Sequence, residues 1–262
     1  MSIVRDQFWI WGQEANGHSF YALGGASKMT AVEGAFYLGI PNCCRVVMAD
    51  QPRPPFDQDS IAMDSLDHVV WSAVGSGGSK SNDDGWGDLD EVLRQARSHP
   101  NVIGAVLDDF LSERRRAIFP PERVREMRQR LRTEAGRPLD LWVVLYEHEL
   151  DQPVQPFLDE CDGITFWVWR SENLAKLEQY HSQVREMTPG KRHLMGVYLF
   201  DYGNDCPMPL DRLQRQCELG LKWLHEGTLD GMIFCSNCCA DLGFDTVTWL
   251  RQWIAEVGDA PL

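Results

Sequence analysis

The chain has 262 residues and a formal net charge of −14, from 39 Asp and Glu against 25 Lys and Arg. With 44% hydrophobic and 24% charged residues it can bury a large core, which excludes a disordered chain and a disulfide-stapled miniprotein. The acidic excess argues against nucleic acid or an anionic membrane as a partner, because binding phosphate requires a basic surface.

Short apolar runs recur along the chain at intervals of about 25 to 35 residues. Eight of them predict strands, namely FWIWG (8–12), CRVVMAD (44–50), HVVWSAVG (68–75), VIGAVLDDF (102–110), LDLWVVLYE (139–147), DGITFWVWR (162–170), HLMGVYLFDY (193–202) and DGMIFCS (230–236). Near-continuous apolar strands are typical of a parallel sheet that is covered on both faces.

Helix signals fill most of the intervals between these runs. A charged amphipathic segment runs from Pro120 to Ala135, another from Ser171 to Met187, and a third from Pro209 to Gly227, while a shorter one follows Asp88. No linker interrupts the alternation of strand and helix. The sequence therefore predicts a single (β/α)8 barrel, the TIM-barrel fold of the α/β class, as one domain over residues 1–262 with long strand-to-helix loops.

The compartment follows from the cysteines and from the first residues. No run approaches the roughly 18 apolar residues of a membrane helix, and the first segment has no signal-peptide pattern. We therefore expect a cytoplasmic protein with no membrane partner. Cys43-Cys44 and the Cys235-x-x-Cys238-Cys239 pattern leave a metal or redox site open, but cysteines within apolar runs favour buried free thiols, and we expect no metal and no cofactor. The sequence leaves the oligomeric state open.

Active sites of such barrels lie at the carboxyl ends of the strands, where this chain collects acids. Asp108 and Asp109 close the fourth apolar run, and burying them is unfavourable unless a site uses them. Adjacent strand residues face opposite ways, so both acids can serve one pocket only if the strand end bends. Glu147 follows the fifth run and is the third candidate catalytic carboxyl.

Aromatic and polar residues accompany these acids. Apolar faces of sugar rings stack on indoles, while hydroxyls and glycosidic bonds need carboxylates, so we expect a carbohydrate substrate. The candidate substrate-binding residues are Trp11, Trp71, Tyr146, Trp169, Arg170, Asp201, Tyr202 and Asn237. Core packing is the competing interpretation for the remaining indoles, above all for Trp142, Trp167, Trp223, Trp249 and Trp253.

The order of these strand ends resembles that of the family 84 glycoside hydrolases, the β-N-acetylglucosaminidases that include the enzymes removing O-GlcNAc. In that family the fourth strand ends in an Asp-Asp pair, as in AVLDDF (105–110) here. A later Phe-Trp-Thr-Gly end is similar to TFWVWR (165–170), and a Trp-Asp-Asn-Tyr end with a nearby Asn-Asp is similar to FDYGND (200–205). The first strand, FWIWGQE (8–14), departs from the family pattern, and Tyr202 stands where the family has Asn.

The resemblance implies a retaining, substrate-assisted mechanism. Asp108 would orient the acetamido group of the substrate, whose carbonyl oxygen attacks the anomeric carbon. Asp109 would act as general acid and then as general base, and Asp201 would hold sugar hydroxyls. Without the resemblance, either Asp108 or Asp109 could pair with Glu147 or Asp201 as an ordinary acid and nucleophile.

Two other functions compete with a glycosidase. A divalent-metal-dependent sugar isomerase or epimerase could draw its ligands from Asp108, Glu147, His148 and Asp201. A barrel that binds glycan without cleaving it is the third possibility, since the fold alone does not determine activity.

Overall fold

The computed structural model describes residues 2–76 and 85–262 and closes eight parallel strands into a barrel. In chain order the strands are β1 (Phe8–Gly12), β2 (Asn42–Arg45), β3 (His68–Val74), β4 (Val102–Leu107), β5 (Asp140–Tyr146), β6 (Gly163–Trp167), β7 (Arg192–Tyr198), β8 (Phe200–Asp201), β9 (Cys206–Pro207) and β10 (Gly231–Cys235). Strands β8 and β9 form a small antiparallel hairpin, and the other eight form the barrel, which closes where β10 pairs with β1. The predicted (β/α)8 barrel is confirmed.

Helices follow the strands as the sequence predicts. They are α1 (Ala31–Leu38), α2 (Asp57–Met63), α3 (Leu89–Ser98), α4 (Glu113–Ile118), α5 (Pro121–Thr133), α6 (Gln155–Leu158), α7 (Leu177–Met187), α8 (Leu210–His225) and α9 (Asp245–Val257). Pro121 occupies the first turn of α5, where its missing N–H has no helical partner to lose. None of the helices in the described part of the chain is long and apolar enough to cross a membrane.

One strand differs from its predicted position. The run 44–50 predicts a strand that ends at Asp50, but β2 occupies Asn42–Arg45. The chain then turns sharply, with Met48 and Gln51 paired and with φ at Ala49 and Asp50 of 51° and 59°. Apolar content alone did not reveal this left-handed turn. Most of the predicted loop at residues 75–86 lies outside the described residues.

Large aromatic side chains fill the barrel interior in layers. Trp9 meets Trp142 edge-on at 5.1 Å near the amino ends of the strands. Trp11 meets Trp167 in the same way at 5.1 Å, and Trp167 in turn contacts Tyr198 at 5.0 Å. Trp167 is 2% exposed, so it belongs to the core, as the competing interpretation of the sequence has it. This upper layer forms a rigid base beneath the carboxyl ends of the strands.

All eight cysteines are free thiols, and seven of them are buried. Burial raises the pKa of the Cys239 thiol to about 12, so this side chain is a neutral packing group at physiological pH. The expectation of buried free thiols agrees with the structure.

Candidate active site

A cleft lies on the barrel axis at the carboxyl ends of the strands. Residues at or just after all eight barrel strands line it: Trp11, Gln13, His18, Tyr21, Met48, Ser76, Asp108, Asp109, Tyr146, Trp169, Tyr198, Tyr202 and Cys235. Six of the sequence-predicted site residues are among them. Aromatic rings and two carboxyls thus line the same cleft. It lies at the carboxyl ends of the strands, where the active sites of such barrels are found.

The chain bends after the fourth strand, which is the condition for Asp108 and Asp109 to line one pocket. β4 ends at Leu107, and the Asp108 N–H donates to the Val74 carbonyl at 2.9 Å, which keeps Asp108 in the barrel lattice. The next residue, Asp109, has φ of 46°, a left-handed backbone conformation that costs a non-glycine residue about 1 kcal/mol. This reversal lets two consecutive side chains line the same cleft.

Burial sets the protonation of this pair. Asp108 is 5% exposed, and desolvation, followed by the nearby charge of Asp109, raises its pKa well above the usual range, although the Arg115 guanidinium partly offsets this effect. Burial therefore favours the protonated form of Asp108. The Tyr146 hydroxyl donates to Asp109 Oδ1 at 2.8 Å. Burial and the charge of Asp109 raise the pKa of Tyr146 too, so its phenol remains a hydrogen-bond donor.

Four aromatic side chains make up one wall of the cleft. The Trp169 ring stands nearly perpendicular to Tyr146 at 5.9 Å and to Tyr198 at 5.8 Å. Tyr198 in turn meets Tyr202 at 5.3 Å. Edge-to-face packing fixes each ring by its neighbours and leaves apolar surfaces of the kind on which sugar rings stack.

The segment after β1 lines the cleft next to Tyr202. His18 is 4% exposed, and its Nδ1 lies 2.7 Å from the Tyr202 hydroxyl, while its Nε2 lies 2.7 Å from Gln13 Nε2. Desolvation lowers the pKa of His18 to about 3, so the imidazole is neutral. Because the Gln13 amide nitrogen can only donate, His18 Nε2 accepts and Nδ1–H donates to Tyr202. Farther along, the Ala22 N–H donates to Asp205 at 2.7 Å, which ties this segment to the loop after β7.

The structure places Glu147 beside the cleft rather than in it. Its carboxylate accepts from the Trp169 N–H at 2.9 Å and from Asn173 Nδ2 at 3.0 Å. Burial alone would raise its pKa, but hydrogen bonds from His148, Trp169 and Asn173 outweigh burial and lower it. The predicted catalytic carboxyl is thus an anion that holds the Trp169 backbone, and it is not a candidate acid or base in this arrangement.

Two more predicted binding residues lie away from the cleft. Trp71 is fully buried and stacks on Phe56 at 4.3 Å, so its indole is a core group and not a rim platform. Bulky residues pack the barrel as well as its rim, and the sequence did not separate the two cases. Arg170 is exposed, and its side chain lies against Gly203 outside the cleft.

Asp201 and Asn237 are buried among loop backbones. Asp201 accepts from the Ser171 N–H at 3.2 Å and from Asn204, which makes it a loop anchor and not a lining residue. Asn237 accepts from the Gln13 N–H at 2.8 Å and donates to the Gln13 carbonyl at 3.0 Å. Both side chains therefore hold the loops that carry the cleft.

Sequence reasoning missed several lining residues. His18 and Tyr21 sit in the aperiodic stretch between β1 and α1, where no hydrophobic pattern marks a position. Tyr198 ends β7, so proximity to a strand end was the available signal for it. Gln13 follows the last residue of β1 and is among the strand-end residues of the sequence, although it is not among the candidate site residues. Cys235 ends β10 in the same way, and the sequence favours a buried free thiol there.

The four ligands proposed for a metal-dependent isomerase do not converge. Glu147 and Asp201 bind loop backbone, as described above, and the His148 ring stacks on Tyr146 at 5.3 Å. Over residues 2–76 and 85–262, no group of three or more His, Cys, Asp or Glu side chains is arranged to hold a metal ion. The Cys235, Cys238 and Cys239 side chains are included in that finding.

Several proteins of known structure share this fold, although their sequences differ greatly from this one. No family model matches the sequence, and no curated protein matches it. A candidate α-L-fucosidase from Bacteroides thetaiotaomicron superposes with a TM-score of 0.61 at 10% identity, covering 100% of this chain and 98% of that one. The catalytic domain of a chitinase from Pyrococcus furiosus gives 0.61 at 11% identity, covering 98% and 97%.

Another similar structure has a different activity. A tryptophan synthase complex from Pyrococcus furiosus gives a TM-score of 0.56 at 8% identity, covering 98% of this chain and 99% of that one. At such identities the likeness establishes the shared barrel fold, and function has to be argued from the cleft. The chain thus has the (β/α)8 fold, and glycoside hydrolases are among the proteins it structurally resembles.

Proposed function

We propose that this protein is a glycoside hydrolase whose acid and base chemistry is carried by Asp108 and Asp109. The observation that supports this most directly is the adjacent carboxyl pair, brought into one aromatic-lined cleft by the left-handed backbone at Asp109. Aromatic rings suit the apolar faces of a sugar, and a partly protonated carboxyl pair suits cleavage of a glycosidic bond. Glycosidases among the structurally similar barrels are in keeping with this proposal.

The substrate class we favour is the β-N-acetylhexosaminides. The two other acids considered as an ordinary nucleophile, Glu147 and Asp201, are held by loop backbone outside the cleft. With neither of these acids in the cleft, we infer that the nucleophile is the acetamido carbonyl oxygen of the substrate. This supports the substrate-assisted scheme that the sequence resemblance implies.

In the proposed hydrolysis, two carboxyls and one water molecule carry out all the steps. The acetamido oxygen attacks the anomeric carbon while Asp109 gives its proton to the departing glycosidic oxygen, so one C–O bond forms and one breaks. Asp108 accepts a hydrogen bond from the acetamido N–H of the resulting oxazolinium ring. Water then attacks the anomeric carbon, Asp109 takes its proton, and the ring opens to the free sugar with retained configuration.

The scheme requires Asp108 to be ionised when the acetamido group is bound. In the empty cleft, burial favours the neutral form of Asp108. A bound acetamido N–H favours the ionised form instead, because it donates a hydrogen bond to the carboxylate. We propose that substrate binding thereby moves the proton of Asp108 to Asp109, whose Oδ1 accepts a hydrogen bond from the Tyr146 hydroxyl.

The test is turnover of a panel of aryl β-glycosides that includes the N-acetylglucosaminide. We expect hydrolysis by the native protein and a loss of about 10³-fold in kcat for Asp109→Asn, the scale of general acid–base catalysis. Asp151→Asn, an exposed acid of the same rim, is the matched control and keeps native activity. No turnover on any glycoside, with sugar binding intact, would favour a glycan-binding barrel.

Substrate assistance has a separate test. Fluorination of the acetamido methyl group weakens the carbonyl oxygen as a nucleophile, so kcat should fall steeply from acetyl to trifluoroacetyl substrates. A flat series would leave the glycosidase in place and remove the substrate-assisted mechanism. Loss of activity on chelation, restored by a divalent ion, would instead favour the isomerase.

A further inference from the structure

Gln13 combines near-complete burial with an unused hydrogen-bonding atom. Its side chain lines the cleft and is 2% exposed. Across the described parts of the chain, Gln13 Oε1 is one of the few buried side-chain atoms that has no hydrogen-bond partner. Leaving a buried polar acceptor unpaired is unfavourable, so such atoms are rare unless a ligand supplies the missing donor.

The neighbours of Gln13 fix it from three directions. Its N–H and carbonyl are both bound by the Asn237 amide, at 2.8 and 3.0 Å. Its Nε2 donates to His18 Nε2 at 2.7 Å, and His18 is held in turn by Tyr202 at 2.7 Å. Backbone and amide nitrogen are thus restrained, and the acceptor atom is held in place before any substrate arrives.

The Gln13 amide oxygen determines which kind of ligand group can bind to it. Oε1 can only accept, so its partner must be an O–H or N–H donor. Among the groups of a sugar, the hydroxyls offer such donors around the whole ring.

We propose that Gln13 is a substrate-binding residue whose Oε1 accepts a hydrogen bond from one hydroxyl of the sugar bound in the cleft. This inference rests on the proposed function for the identity of the ligand as a sugar. It adds a specificity element that discriminates against sugars lacking that hydroxyl. A site built to pair a substrate hydroxyl rejects the deoxy analogue because its own buried polar atom is left unpaired.

The experiment uses the 3-, 4- and 6-deoxy analogues of an aryl N-acetyl-β-glucosaminide. Their Kd is measured by calorimetry in the Asp109→Asn background, which is expected to bind without turnover, and their kcat/KM in the native protein. We expect one analogue to lose about 10-fold in both quantities, the scale of one hydrogen bond with its acceptor left unpaired. That same loss should vanish in Gln13→Met, which has no acceptor there, and should persist in Gln13→Glu, which has one.

Gln152→Met at the exposed rim is the matched control and should keep the full native pattern. Thermal unfolding checks that Gln13→Met is folded, and the Glu variant and the native protein still decide the matter if it is not. The inference is overturned if no deoxy analogue binds more weakly, or if the loss is the same in Gln13→Met. Binding with this pattern but without turnover would remove the hydrolase and keep the role of Gln13, whereas no sugar binding at all removes both.

Discussion

His18 should make the stability of this protein fall at mildly acidic pH. Its imidazole is 4% exposed and burial lowers its pKa to about 3, against about 6.5 in an unfolded chain. The unfolded state therefore binds a proton that the folded state excludes as the pH falls below about 6.5. The stabilisation is complete above that pH and is lost progressively as the pH approaches 3.

The size of the effect follows from the two pKa values. At pH 5 the unfolded imidazole is almost fully protonated and the folded one almost fully neutral. This pH lies about 1.5 units below the pKa of the unfolded imidazole. At 1.36 kcal/mol per unit, His18 alone removes about 2 kcal/mol from the free energy of unfolding between pH 8 and pH 5. For a chain of this size that corresponds to a fall in Tm of about 4 to 8 °C.

The assay compares the native protein with His18→Gln by denaturant unfolding at pH 8, 7, 6 and 5. His181 and His193 also have pKa values lowered by burial, so the native curve contains their contributions as well. Subtracting the unfolding free energies of the variant from those of the native protein isolates the contribution of His18. The lost contacts with Gln13 and Tyr202 change the free energy equally at every pH, so they do not change its slope with pH. The variant should lose about 2 kcal/mol less than the native protein by pH 5. Parallel curves for the two proteins would refute the assignment of a neutral buried His18, and His225→Gln, at an exposed position, should leave the slope unchanged.

Three further predictions concern the carboxyl pair and its support. Asp108→Asn should abolish activity yet stabilise the fold, because the raised pKa makes ionisation of Asp108 unfavourable in the folded state; denaturant unfolding should show a gain that grows as the pH rises above about 4, and Asp151→Asn should show none. Tyr146→Phe removes the hydroxyl that donates to Asp109 Oδ1 at 2.8 Å, so kcat/KM should fall by about 10-fold, the scale of one hydrogen bond to a charged group, and an unchanged kcat/KM would show that Tyr146 does not support Asp109. Gly196→Ala places a Cβ 2.0 Å from the Trp167 ring and should lower the free energy of unfolding by about 3 kcal/mol. Gly136→Ala has open space around it and only a φ of 77° against it, so it should cost about 1 kcal/mol. Equal losses in the two variants would contradict the packing argument.

The barrel could be predicted from the sequence because its signals are local and repeated. Eight apolar runs with helix starts between them specify a (β/α)8 topology almost regardless of the exact boundaries. The strand at 44–50 was misplaced, because the left-handed turn at Ala49 and Asp50 has no apolar signature. A single Gly or Asn at those positions would have revealed it, and the chain has neither there.

The cleft was predictable only where a side chain belongs to a strand end. Asp108 and Asp109 come directly after β4 and Tyr146 is the last residue of β5, and the structure places all three in the cleft. Glu147 comes directly after β5, yet a short 3₁₀ turn over Glu147–Glu149 directs its carboxylate towards Trp169 and Asn173. His18 and Tyr21 reach the cleft through a loop that contacts Tyr202 and Asp205, in the turn between β8 and β9, which is distant in sequence.

Three residues that line the cleft break local rules, and together they are a strong reason to regard the cleft as functional. Asp109 has a backbone conformation that disfavours any residue with a Cβ, Asp108 is a carboxyl buried against its preference for water, and Gln13 has a buried acceptor with no donor. Each feature lowers stability by an amount that ordinary packing elsewhere has to offset. A fold with no use for the cleft would be more stable with Gly at 109 and Asn at 108, so the two substitutions together should raise Tm while removing sugar turnover. A double variant with lower stability than the native protein would show that these residues support the barrel itself, and the case for a built active site would fail with it.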